Sequence, residues 1–381
     1  MRRIRLGMVG GGQGAFIGAV HRMAARLDDR FELAAMAPSS DPARAKSSGE
    51  ELGLDLQRVY ADFRNMAKAE AALPDGIEAV AIVTPNHLHH AAACAFLDAG
   101  IHVICDKPLT RTLDEAIDLV ARVKKSGLLF GVTYTYSGYP MVRHARELVE
   151  RGELGDIRVV QVEYAQDWLA QDLESTGQKQ ALWRTDPALS GEGGCIGDIG
   201  THAYHLACFV TGLKVSQLAA ELTTFVPGRR VDDNAQVSLR FANGARGQLW
   251  ASQVATGCQN ALSLRVFGSK AALVFRQETP EELWFTPLGE PARRLTRGGP
   301  ALGTAAALAT RIPGGHPEGY LEAFAQLYRE MADRIAAHGA GQSCESPLPG
   351  VEAGASGMAF VDAALRSHAR GAAWVDLASG P

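Results

Sequence analysis

The sequence has no apolar run near the ~20 residues needed to cross a bilayer. It has no Cys-x-x-Cys pair and no block of basic residues. Charge is nearly balanced, with 38 Lys and Arg against 42 Asp and Glu for a net −4, so nothing draws the chain to nucleic acid or to a membrane surface. Six cysteines (Cys94, Cys105, Cys195, Cys208, Cys258, Cys344) are too sparse and too irregularly spaced for a disulfide frame or a zinc site. They read as free thiols of a reducing compartment, and the cytoplasm is the expected location. The start, MRRIRLGMVG, places two arginines before apolar residues as a secretory leader does. Glycines break that run and no small-residue cleavage site follows, so it reads as a first strand.

Glycine is plentiful: 41 of 381 residues, against a usual share of about 7%. There is no G-X-Y period, and the remaining composition, 46% hydrophobic and 21% charged, is that of a globular chain. The length suggests two domains.

In the first part, short apolar runs alternate with amphipathic stretches. The runs Ile4–Val9, Phe31–Ala37, Ala79–Val83, Ile101–Cys105 and Leu128–Val132 are apolar-rich strands, as strands buried on both faces are. Asp62–Ala72, His87–Ala99 and Leu113–Lys125 are helices between them, which predicts a parallel sheet covered on both sides. After about Gly131 the pattern changes. A helix, Pro140–Arg151, is followed by longer alternating runs: Ile157–Tyr164, Gln217–Phe225, Ala235–Phe241, Gly247–Val254, Leu262–Phe267 and Ala271–Phe275. Turn signals at Ala242–Gly244 and Gly268–Ser269 make these an antiparallel sheet with one face open or packed on a partner. Asp232 and Asp233 read as a turn before one of these strands. Gly289–Gly315 reads as a long loop, Pro317–Ala337 and Gly350–Arg370 as helices, and Trp374–Leu377 as an edge strand. The expected domains are 1–131 and 132–381, with the last helix able to pack back on the first.

The first strand runs into Gly10-Gly11-Gly12-Gln13-Gly14, which opens a helix over Ala15–Leu27. A glycine-rich turn between a first strand and a first helix is what a dinucleotide pyrophosphate requires: Gly10 for the turn, Gly12 for close approach, Gln13 and Gly14 leading into free N–H groups. The third glycine role falls to Ala15 or Gly18. The second strand ends in Ser39, Ser40 and Asp41 with Arg44 beyond. Serine and arginine suit a 2′-phosphate and an acid suits a 2′-hydroxyl, so NAD and NADP both stay open; Asp41 also fits a helix cap.

Three more motifs complete the reading. Thr84-Pro85-Asn86-His87-Leu88-His89 follows the third strand, Cys105-Asp106-Lys107-Pro108 closes the fourth, and Asp198-Ile199-Gly200-Thr201-His202 lies in the second part. In this order, with Gly315–Phe324, the sequence resembles the Gfo/Idh/MocA family of sugar and cyclitol oxidoreductases. The resemblance implies an α/β architecture: a Rossmann dinucleotide-binding domain, then an α/β domain with a large, open, mostly antiparallel sheet that forms oligomer contacts. It implies that Lys107 touches the reacting oxygen, that Asp198 and His202 are the family's D-x-x-x-H pair, and that Thr84, Asn86, His89 and Asp106 line the cofactor. Asp106 stands where the family has glutamate. Lys107–Pro108 becomes a candidate cis peptide.

The chemistry is consistent with these residues. Oxidising a secondary alcohol removes a proton from oxygen as hydride leaves carbon, and histidine is the natural proton acceptor. His202 is expected to be the base, Asp198 the orienter of the substrate or of His202, and Lys107 the positive charge beside a developing alkoxide. Tyr136, Tyr164, Trp183, Arg184, His205 and His316 are candidate sugar contacts. His87, His89 and His90 suggest a metal, but no cysteine or carboxylate stands beside them at the turn, and no metal is expected. The expected activity is NAD(P)-dependent dehydrogenation of a pyranose, glycoside or inositol by a homo-oligomer, dimer or tetramer. The alternative is a redox-neutral NAD-dependent glycosidase that oxidises, eliminates and re-reduces.

Overall fold

The computed structural model describes residues 2–300 and 302–377. The described residues pack as two compact units, 2–135 with 324–355, and 136–323 with 356–377. The chain passes from one unit to the other after residues 135, 323 and 355.

The first unit holds a five-stranded sheet of β1 (Ile4–Gly10), β2 (Phe31–Ala37), β3 (Ala79–Val83), β4 (His102–Cys105) and β5 (Phe130–Val132), in the order β2-β1-β3-β4-β5. All pairs are parallel. The strands are apolar at nearly every position because helices cover both faces. The strand order reverses between β1 and β3, where Gly10 pairs with Val83. Crevices for ligands open at the carboxyl ends of strands at such a point. The returning segment belongs here for a packing reason. The helix Tyr320–Gly339 sets Phe324 4.6 Å from the His21 ring and Tyr328 5.4 Å from Phe31. Val132 N–H then donates to Pro349 O at 2.8 Å. The helix that returns is therefore this one, and most of Val351–His368 belongs to the second unit.

The second unit holds nine strands: β6 (Ile157–Ala165), β7 (Val215–Thr223), β8 (Asn234–Phe241), β9 (Arg246–Ser252), β10 (Ala261–Gly268), β11 (Ala271–Arg276), β12 (Glu282–Pro287), β13 (Arg293–Thr296) and β14 (Val375–Asp376). Their order is β13-β12-β11-β10-β6-β9-β8-β7-β14. Among the described residues only β6 and β9 run parallel; the other pairs are antiparallel. Alternation is clean: Val160 and Val162 on β6, Val237 and Leu239 on β8, and Leu262, Leu264 and Val266 on β10 all point into the core. The helices Pro140–Glu150 and Thr201–Thr211 supply the apolar side chains that meet them.

The segment Gly289–Gly315 is not a plain loop. It contains β13 and the helix Thr304–Ala309, both too short to show a period. Buried Arg297 organises it, bonded to Glu281 at 2.7 Å, Glu318 at 3.0 Å and Ile312 O at 2.7 Å. Among the described residues no helix is long and apolar enough to cross a membrane.

Burial holds four histidines below their ordinary range: His21 and His102 at about 4, His205 at about 3, and His144 in the same direction. Each is neutral when folded and binds a proton more readily when unfolded. Stability is therefore expected to fall as pH drops below about 6.5, by up to about 2 kcal/mol per histidine at pH 5. Urea denaturation at pH 7 and pH 5 measures this; equal stabilities would exclude it.

Candidate active site

In the first unit the predicted residues gather at the carboxyl ends of the strands. Gly10 has φ +83°, and a Cβ there would lie 2.9 Å from Val83 O. Gly18 settles the third glycine role. A Cβ on it would come within 2.3 Å of Gly11 Cα, so the helix Phe16–Leu27 packs on the turn only because Gly18 has no side chain. The helix N-terminus at Ala15 receives no side-chain cap, which leaves donors and positive potential for an anion. A bare turn and an uncapped helix fit a dinucleotide pyrophosphate. Gly12 and Gly14 complete that turn. The Gln13 amide is turned away from it, onto Ser47 and Glu51 at 3.1 and 2.9 Å.

At the end of β2, Asp41 caps the next helix, accepting from Ala43 N–H at 2.9 Å and Arg44 N–H at 3.0 Å. Ser39 Oγ accepts from Asp41 N–H, and Ser40 and Arg44 are exposed. The only acid at this turn is thus committed to its own helix.

Beyond β3 and β4, Thr84, Asn86, Asp106 and Lys107 sit on the turns facing the same end of the sheet. Lys107–Pro108 is cis. His89 stands between two turns. It is buried, with Nδ1 2.9 Å from Pro108 O and Nε2 2.8 Å from Thr84 O. Each ring nitrogen lies against a backbone carbonyl, so His89 ties the turn after β3 to the lysine loop. Asp106 acts similarly, its Oδ1 accepting from Lys107 N–H and Thr133 Oγ1–H, both at 2.9 Å.

In the second unit, Asp198 lies in a π-helical turn, Ile196–Gly200, that runs into the helix Thr201–Thr211 bearing His202. π-Turns recur where a helix must aim a functional side chain. Asp198 Oδ2 accepts from Gln253 Nε2–H at 2.9 Å and lies 3.3 Å from Arg184 Nε. The His202 ring stands edge-on to Tyr136 at 4.8 Å and Tyr164 at 6.0 Å. The two phenols are hydrogen-bonded, and Tyr164 O–H donates to Asn260 Oδ1 at 2.7 Å, which also accepts from Gln166. Burial pushes both phenols upward, so both keep their protons. Trp183 carries the Arg184 guanidinium 4.2 Å from its ring centre.

Two expected contacts are not part of this cluster. His205 is buried and stacks on Phe209, because three residues along the helix it faces the core. The His316 side chain is exposed before the late helix; Tyr320 instead comes 6.2 Å from Tyr136. Gln253, Asn260 and Gln166 give no signal in the sequence, because isolated amides at strand ends carry no motif. Asp232 is more than a turn residue. It is buried and closes the N-terminal end of the segment bearing Asp198 and His202, accepting from Gly194 N–H at 2.6 Å, Ile196 N–H at 2.8 Å and the Cys195 thiol at 3.0 Å.

Comparison with known proteins agrees with this geometry. The oxidoreductase family model with an NAD-binding Rossmann fold matches residues 4–134, and the GFO/IDH/MocA C-terminal domain matches 142–274. The chain belongs to the Gfo/Idh/MocA family. It is an oxidoreductase with an NAD-binding Rossmann domain. An oxidoreductase from Sinorhizobium meliloti is 53% identical, covering 98% of this chain and 100% of that one, with TM-score 0.90. An inositol dehydrogenase homologue from Azotobacter vinelandii, complexed with NADH and myo-inositol, is 37% identical over 98% of each chain, with TM-score 0.91. Levoglucosan dehydrogenase of Pseudarthrobacter phenanthrenivorans is 30% identical over 74% of this chain and 76% of its own.

Asp232→Asn would turn an amide donor toward groups that themselves donate. This Gfo/Idh/MocA chain is expected to lose about 1–3 kcal/mol of stability, with kcat reduced more than the KM for dinucleotide. Thermal unfolding and steady-state kinetics test it, and an unchanged melting temperature would remove Asp232 from this role.

Proposed function

We propose that the protein catalyses NAD(P)-dependent oxidation of a secondary hydroxyl on a cyclitol or pyranose. The observation that supports this most is the second unit's cluster. A carboxylate held by Gln253 and Arg184 lies four residues before a histidine, beside hydrogen-bonded tyrosines and an amide pair. Such a surface offers ring faces and many polar groups, as a polyhydroxylated ring needs. The relatives named for inositol and levoglucosan dehydrogenation point the same way.

Hydride acceptance is the chemistry the dinucleotide supplies when bound. The protein's own residues handle the proton and the charge. His202 accepts the hydroxyl proton. Asp198 orients the substrate or the imidazole. Lys107, held by Asp106 and by the His89-clamped loop, supplies positive charge to the alkoxide as it forms. Gly10, Gly12, Gly14 and the N-terminus of Phe16–Leu27 receive the pyrophosphate, with Ser39, Ser40 and Arg44 beside the ribose.

The test is absorbance of reduced nicotinamide with a panel of inositols, pyranoses and glycosides, run with NAD+ and with NADP+. Net reduction is expected with at least one cyclitol or sugar, and His202→Ala is expected to lower kcat by about 10²–10⁴-fold. Aglycone release from a nitrophenyl glycoside without net reduction would replace this reading with the redox-neutral glycosidase. Near-normal turnover in His202→Ala would remove the proposed base.

The sheet's outward face carries Gln161, Glu163, Gln236, Gln248, Trp250 and Arg265. We propose this face as the contact between copies in a dimer or tetramer. Sedimentation velocity is expected to give a multiple of 40.6 kDa; a monomer at micromolar concentration would exclude it.

A further inference from the structure

Three side chains outside the candidate active site converge between two helices of the Rossmann unit. His90 and Cys94 are one turn apart on His89–Asp98, so they share a face. Asp118 projects from Leu113–Ser126. His90 Nε2 lies 2.7 Å from Asp118 Oδ2 and 3.6 Å from Cys94 Sγ, and all three donor atoms fall within 4.8 Å of one another. Among the described residues this is the one such group of three. The sequence hid it because the carboxylate comes from the next helix, 28 positions on, and the cysteine lies beyond the histidine-rich turn.

We infer that His90, Cys94 and Asp118 form a binding site for a divalent cation of the zinc class, with one position left to water. The donor set selects the cation. One imidazole nitrogen, one sulfur and one carboxylate oxygen suit Zn2+ or Co2+, whereas Mg2+ and Ca2+ take oxygen ligands. The spacing is close to what is needed. With metal–nitrogen and metal–oxygen bonds of about 2.0 Å and a metal–sulfur bond of about 2.3 Å, tetrahedral donors stand roughly 3.3–3.5 Å apart. The histidine–sulfur separation is close to this, the histidine–carboxylate pair must open by about 0.6 Å, and the carboxylate and sulfur, which lie within 4.8 Å, must take the same spacing. Arg122 Nε donates to Asp118 at 2.7 Å and so holds the carboxylate toward the pair.

The balance closes without an oxidant. The cysteine proton goes to solvent, and neutral His90 carries its one proton on Nδ1. Three metal–ligand bonds replace the hydrogen bonds, and two anions cancel the charge of the cation. The charged groups near the sulfur are Arg122, Asp118 and Asp98. A cation with high thiolate affinity displaces the thiol proton as it binds. Once bound, it would link the helix after β3 to the helix after β4.

The probe is Co2+, added to chelator-treated full-length protein. One equivalent is expected to bind with the strong visible bands of tetrahedral cobalt and a sulfur-to-cobalt charge-transfer band. Excess Zn2+ should abolish both and raise the melting temperature. Cys94→Ala should lose the charge-transfer band, and His90→Ala and half-exposed Asp118→Asn should each weaken Co2+ at least tenfold. Net reduction of nicotinamide should persist in all three. A charge-transfer band that survives Cys94→Ala, or Co2+ binding equally weak in the unaltered protein and in Asp118→Asn with unaltered circular dichroism, would overturn the site.

Discussion

A helix holds a side chain at a fixed point when its own N-terminal end is held, and here a single buried carboxylate does this. Asp232 takes two backbone N–H groups and the Cys195 thiol at the start of the segment that carries Asp198 and His202. Those donors would otherwise be buried without partners beside a helix dipole whose positive end favours an anion. Its neighbour Asp233 accepts from Phe225 and Val226 N–H and pairs with buried Arg229. Adjacent carboxylates thus bind two different segments, and β8 starts immediately after them.

The Rossmann unit uses the same device. His89 bridges Thr84 O and Pro108 O, joining the turn after β3 to the turn after β4, and Asp106 braces Lys107 from the other side. In both units a buried polar residue fixes backbone geometry, and the residue proposed to act on substrate lies on the segment so held. Loops built this way are rigid because each bond also satisfies a buried polar group that would be costly to leave unpaired.

The two sheets differ for a reason visible in their side chains. The parallel sheet is apolar at nearly every position because both faces are covered. The nine-stranded sheet alternates, so one face packs on the helices of its own unit and the other presents Gln, Glu, Ser and Trp.

Element types were legible wherever a period was long enough to read: the five parallel strands, the glycine turn, the hairpins and the edge strand at Val375. The residues proposed for the chemistry, Lys107, Asp198 and His202, were singled out because they sit in motifs with local spacing. Short elements such as β13 and Thr304–Ala309 were not legible, since four to six residues carry no period. The role of His89, the packing role of Gly18, the inward turn of His205, the amides around Asp198, and the meeting of His90, Cys94 and Asp118 came only from the folded chain. Each depends on a contact between residues distant in sequence or on which side of a helix faces the core. A local pattern states which side chains are available; long-range packing decides which of them meet.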